Sequence, residues 1–167
     1  MKISILAAFA LLLPLTELAM TPSSAGVGPS GYNWLIGTWL CANTATAAIG
    51  GPGTQTVTYA PTAAGGLSVR VIGGNFERSG YIAYVAATKT WWSPIAYPGG
   101  NFYAESTKQT GSKTIWTGPY TDVAGRKTFA VRDMYTVDSA TQYEDIGQYK
   151  SGSSWKTGYR GVCRKTS

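Results

Sequence analysis

The chain has 167 residues, 44% of them hydrophobic, 13% aromatic and 13% charged, and its 14 lysines and arginines against 8 acids give a net charge of +6. That is the composition and length of one folded domain rather than of a disordered tail. No histidine occurs, which excludes Ser-His and Cys-His nucleophile pairs, histidine metal sites and histidine proton shuttles. With Cys41 and Cys163 the only cysteines, Cys₄ zinc and cysteine-bound iron–sulfur clusters are excluded as well.

Met1-Lys2 is a basic start, residues 3–13 are apolar apart from Ser4, and Pro14 leads into small and polar residues ending at Ser23-Ser24-Ala25. This order predicts a secretory signal peptide over 1–25, cleaved after Ala25 or near Met20. The apolar run is too short to span a membrane. The mature protein is then expected to be exported, periplasmic or secreted. Gly26–Gly31 is rich in glycine, proline and serine, so 26–33 reads as a linker and 34–167 as the folded domain. Export permits a disulfide, and two cysteines allow one pairing, Cys41 with Cys163; two buried free thiols are the alternative.

Beyond the linker, short runs rich in threonine, valine, tyrosine and tryptophan alternate with turn clusters such as Gly65-Gly66, Gly73-Gly74-Asn75 and Gly99-Gly100-Asn101. Alternation and turns together predict ten strands, over 37–43, 54–60, 67–72, 78–85, 90–97, 102–107, 113–118, 127–136, 142–150 and 155–165. A short helical turn over 32–36 precedes them. A Cys41–Cys163 bond would bring the first and last strands side by side. Closure would also remove both sheet edges. The expected fold is therefore all-β: an antiparallel up-and-down closed barrel of about ten strands.

The segment Trp34-Leu35-Ile36-Gly37-Thr38-Trp39, a Gly-x-Trp at the mouth of the first strand after a short turn, resembles the opening of calycin-type barrels. With the hairpins around Tyr81–Tyr84, Trp91-Trp92 and Lys113–Gly118, the chain looks most like small bacterial lipocalin-like domains. It is distantly similar to nitrobindin-like and fatty-acid-binding barrels. The resemblance implies that a late basic residue packs across Trp39 beside Gly37. Arg160 and Arg164 are candidates, yet if Cys41 and Cys163 share a face, both arginines point away from it. Either a β-bulge at Gly158 or Gly161 reverses them, or Lys165 takes the role. Nitrobindin-like barrels hold haem through a histidine that this chain lacks, so no haem and no other cofactor is expected.

Three motif matches fail on context. Gly26-Val27-Gly28-Pro29-Ser30-Gly31 has the dinucleotide-binding spacing but no preceding strand. Ser153–Lys156 and Lys156-Thr157-Gly158 spell two motifs of penicillin-recognising enzymes, but here they would share one lysine in one hairpin. Among the acids, Glu144 and Asp145 are adjacent and must face opposite ways on a strand, whereas Glu105 and Asp133 could both face inward.

A small barrel can enclose one ligand, and an inward arginine would hold a carboxylate. Arg70 and Arg132 have apolar surroundings. For Arg132 the alternative is an outward charge paired with Glu144 or Asp145. Arg70 lies opposite Leu67, Val69 and Val71, and if those line the barrel Arg70 is solvated. Glu105, Tyr103, Trp91, Trp116 and Tyr149 complete the candidate ligand-binding residues. The expected partner is a small apolar or amphipathic molecule, anionic if an inward arginine holds it, with no nucleic acid and no membrane span. Two competing readings stay open: a solid-cored envelope scaffold with an exposed aromatic such as Trp91 or Trp92, and a small enzyme using Tyr, Arg, Asp or Glu, with polar residues of shifted pKa converging in one pocket.

Overall fold

The computed structural model describes residues 30–45, 53–74 and 76–167. The expected signal peptide, the start of the linker and the turn over 50–52 lie outside them. A 3₁₀ turn, Ser30–Leu35, leads into ten strands: β1 (Gly37–Ala45), β2 (Gly53–Pro61), β3 (Leu67–Gly73), β4 (Phe76–Val85), β5 (Thr90–Ala96), β6 (Phe102–Thr107), β7 (Lys113–Asp122), β8 (Lys127–Ser139), β9 (Gln142–Ser151) and β10 (Ser154–Lys165). Every strand pairs antiparallel with its chain neighbour, and β1 pairs with β10, which closes the barrel. Residues 30–33, expected as linker, form the first part of the 3₁₀ turn. Their place follows from Tyr32, whose buried ring meets Trp91 and Trp116, each at 5.0 Å between ring centroids.

Alternation sets the two faces of the wall. In β3, Leu67, Val69, Val71 and Gly73 are buried while Ser68, Arg70 and Ile72 are exposed, a period of two that places one set in the core. β7 runs on past Gly118, where the expected strand ends, as far as Asp122. Gly118 is instead a point of close approach, since a Cβ there would collide with the backbone carbonyl of Ala104 on β6.

The seam between the chain's two ends runs from Trp39↔Lys165 to Ala45↔Tyr159 without interruption, with Cys41 opposite Cys163 and disulfide-bonded to it. Lys165 rather than either arginine packs on the buried Trp39, its Nζ 5.4 Å from a ring centroid. A register shift does occur between Thr157 and Tyr159. It lies beyond the stretch paired with β1, so it leaves Arg160 and Arg164 on the outer face, where Arg160 pairs with Glu144. The Trp39 indole donates to the Leu35 carbonyl at 2.6 Å, tying the 3₁₀ turn to the wall. Gly37 has φ of +126°, and a Cβ there would strike the Ser167 carbonyl that accepts from Thr38 N at 2.9 Å. The Gly-x-Trp opening is thus a lock between the first strand, the turn and the C-terminus.

The two ends of the barrel differ in chemistry. At the end that carries the 3₁₀ turn, Tyr32 packs against Trp91 and Trp116, and Trp34, Trp39 and Tyr143 pack edge to face on one another, two aromatic groups within one buried core. The opposite end is a mouth ringed by Tyr97, Tyr120, Phe129 and Tyr149, in contact in that order.

Candidate functional site

Between the aromatic floor and the mouth, the inward positions of five strands turn polar. β4 contributes Arg78, β6 Tyr103 and Glu105, β8 Asp133 and Tyr135, β9 Asp145 and β10 Tyr159. Glu105, Asp133 and Asp145 are 2%, 8% and 7% exposed. Three carboxyl groups therefore share the interior with one guanidinium. Space for them comes from glycine: a Cβ at Gly147 would occupy the place of the Tyr159 ring, and Gly118 sits against the backbone of Glu105.

The hydrogen bonds leave gaps. Arg78 donates from a terminal nitrogen to the Tyr97 hydroxyl at 2.8 Å and lies 5.6 Å and 5.9 Å from the ring centroids of Tyr97 and Tyr103. The Tyr159 hydroxyl donates to Asp145 Oδ2 at 2.9 Å. Arg78 Nε, Glu105 Oε1 and Asp145 Oδ1 are buried with no protein partner. Unpaired polar atoms of this kind are costly in a fold. The ion pairs among the described residues, Arg70–Glu77 and Arg160–Glu144, both lie outside the barrel. Arg78 therefore neutralises the acids through the field rather than through contact.

Burial decides the protonation. It pushes the Glu105 carboxyl well above the ordinary carboxylate range, and the neighbouring Asp133, within hydrogen-bonding reach, pushes it further. Asp145 is raised well above its usual value by burial and then by Asp133. Asp133 is also raised by burial, but Arg78, the Tyr159 hydroxyl and Glu105 all favour its charged form. Glu105 and Asp133 titrate as a coupled pair, both pushed toward the protonated form by burial. Buried Tyr103, Tyr135 and Tyr159 are driven far above the usual phenol value, chiefly by desolvation, so they act as hydroxyl donors.

The cluster lines a pocket of about 30 Å³ at the mouth, walled by Arg78, Tyr97, Tyr103, Glu105, Tyr120 and Asp133 among others. A second space of about 20 Å³ touches Asp145, Tyr59 and Tyr143. Asn101 organises the rim: its amide donates to the Tyr120 hydroxyl at 3.3 Å and accepts from Val123 N at 2.8 Å. A larger groove, about 480 Å³, runs outside the closed end past Tyr81, Ile82, Tyr84 and Trp91. Its polar lining is hydroxyl and backbone, with no charged group to orient a ligand, so volume and chemistry lie at opposite ends.

The structure brings together Glu105 and Tyr103, and places Tyr149 on the rim. Trp91 and Trp116 are instead part of the aromatic floor around Tyr32. Arg70 and Arg132 do not face the interior. Arg70 is solvated beside Glu77, as the burial of Leu67, Val69 and Val71 requires. Arg132 is held on the outer face by Gln148 at 2.7 Å, not by Glu144 or Asp145, with its guanidinium 4.4 Å from the Trp155 ring centroid. Sequence reasoning missed Arg78 and Asp145. Arg78 shares strand parity with Ile82, which is buried, and Asp145 shares it with Tyr143, the partner of Cys163. No protein-family model matches the chain, and no curated protein shows significant similarity to it.

Proposed function

We propose that this protein is an exported lipocalin-like barrel that binds a small amphipathic molecule at its mouth, polar head inward. The observation that carries the reading is the set of buried polar atoms without protein partners beside a pocket, Glu105 Oε1 above all. Such atoms are retained at a cost that a ligand's hydrogen bonds would offset. The aromatic rim of Tyr97, Tyr120, Phe129 and Tyr149 suits the apolar remainder of the molecule. The disulfide is in keeping with an oxidising compartment.

Native mass spectrometry of freshly purified protein, followed by solvent extraction, tests this. A stoichiometric small molecule is expected, lost when Tyr97 and Tyr120 are both changed to alanine. Protein that carries nothing, and that shifts neither in melting nor in mass with any member of a small-molecule panel, would overturn it.

One observation favours a second reading, acid–base catalysis. Glu105 and Asp133, two neighbouring buried carboxyls that are both raised by burial while Arg78 and the Tyr159 hydroxyl act on Asp133 in the opposite sense, with tyrosine hydroxyls around them, form a coupled acid pair. Turnover of a bound compound, abolished in Glu105→Gln with binding retained, would replace binding by catalysis as the conclusion.

A further inference from the structure

If the mouth pocket binds a small molecule, as proposed for this barrel, its charge balance specifies the ligand more closely than the fold does. Three acids and one arginine occupy this interior, and Arg78 is the cation that faces them. Glu105 is 2% exposed, lines the pocket and keeps one oxygen without a partner. Tyr97, Tyr103 and Tyr120 also line the space; Arg78 already stands over the Tyr97 and Tyr103 rings, which leaves Tyr120 as the lining tyrosine with no cation over it among the described residues, and aromatic faces attract cations. A space of about 30 Å³ exceeds the ~10–15 Å³ that one water needs but is too tight for a bulky head.

We propose that the pocket takes the primary ammonium head of a small amine, held between Glu105 and Asp133 against the tyrosine rings, with its carbon tail leaving through the mouth. Arg78 acts through the field on Asp133, Glu105 and Asp145 alike, and of these Glu105 is the one that lines the pocket with an unpaired oxygen, so it is the group placed to answer an added positive charge. Asp145 on β9, Tyr135 on β8 and Tyr159 on β10 face the same cluster, and none of them supplies positive charge. An arriving ammonium therefore lets Glu105 ionise, and binding releases a proton. A carboxylate ligand would do the reverse: it adds a fourth acid to one arginine and must bring a proton with it. The two ligand classes thus differ in the sign of their linkage to pH.

Calorimetry in buffers of different ionisation enthalpy separates them, with n-butylamine, n-butyrate, 1-butanol, tetramethylammonium and Ca²⁺ as probes. Butylamine, charged throughout because alkylammonium groups titrate near ~10.4, is expected to bind with release of up to one proton. Its affinity should then rise with pH, by up to ~10-fold per unit while Glu105 of the free protein holds its proton. Glu105→Gln, with folding checked by circular dichroism, should weaken it at least ~10-fold and abolish the proton release; Asp133→Asn serves as the second variant. Butyrate or butanol binding in place of butylamine, with loss in Glu105→Gln, would overturn the amine assignment and leave ligand binding standing. Equal affinity for tetramethylammonium or Ca²⁺ would overturn it too. If no probe binds, or if amine binding is untouched in both variants, the pocket is not a ligand site and both proposals fall.

Discussion

A protein whose interior carboxyls are held protonated should gain stability on acidification, the reverse of ordinary acid denaturation. Glu105 and Asp145 have folded-state pKa values raised above those of the unfolded chain. Once pH exceeds the unfolded value, the unfolded chain gives up these protons while the folded barrel keeps them. Stability therefore falls as pH rises from about 4.5 toward the folded pKa, by about 1.4 kcal/mol per pH unit for each retained proton. One proton retained over two pH units is about 3 kcal/mol, a large share of the ~5–15 kcal/mol of a typical domain. The groups that oppose or share this field are Arg78, Asp133 and the tyrosines at 97, 103, 135 and 159. Of these, Arg78 favours ionisation of both acids, and the Tyr159 hydroxyl favours that of Asp145. The two ion pairs on the outer face contribute little.

The assay is thermal unfolding by circular dichroism, with the disulfide intact, at half-unit steps between about pH 4.5 and 7.5. Melting should rise by ~10 °C toward the acid end, taking ~3 °C per kcal/mol for a domain of this size. Glu105→Gln, isosteric with the protonated acid and unable to ionise, should be more stable than wild type near neutral pH. The gap between the two should narrow toward about pH 4.5, where Glu105 of the unfolded chain begins to take up its proton. A wild type that loses stability steadily on acidification, or a Glu105→Gln protein that is weaker at neutral pH with an unchanged slope, would refute the reasoning.

Reduction of the disulfide, or the Cys41→Ala/Cys163→Ala protein, should lose about 5 kcal/mol, because the bond closes a loop with a sequence separation of 122; denaturant titration that finds a loss below ~1 kcal/mol would remove loop closure as its role. At the seam, Trp39→Ala should cost about 3–5 kcal/mol, Lys165→Met about 1 kcal/mol of cation–π attraction, and Arg164→Ala almost nothing, since Arg164 is exposed and lies off the ring; an order in which Arg164 outweighs Lys165 contradicts the register. Arg70→Gln and Arg132→Gln should leave ligand occupancy in native mass spectra unchanged, because both side chains stand outside the wall. Gly147→Ala should perturb tyrosine near-ultraviolet dichroism by expelling the Tyr159 ring, and an unchanged spectrum would argue against that packing.

Strand positions were legible because a half-buried wall imposes a period of two, which survives in sequence wherever turns are marked by glycine. Closure was legible for a separate reason: one disulfide between the terminal strands forces a neighbour relation that alternation alone leaves open. Face assignment was harder. Glu144-Asp145 announces that one acid points in, yet which one depends on register with β10, fixed through Tyr143↔Cys163. Arg78 opens the expected strand 78–85 beside Glu77, where a charged pair looks like solvent-facing surface, although its parity with Ile82 puts it on the inner face. The contrast between floor and mouth was invisible, because inward residues from ten strands sort by height only when the shear of the closed barrel is known.

The same height sorting explains why the polar cluster is tolerated. Buried acids with unpaired oxygens and no ion pair are a net cost, and apolar replacements of similar volume would stabilise most folds. Here the cost falls in one layer, while the aromatic floor, the Trp39 lock and the disulfide hold the barrel shut from the other end. Nothing in the closure of the wall depends on Glu105, Asp133 or Arg78. A layer that the fold does not need, carries at a loss, and places beside the opening fits a layer kept for what comes through that opening.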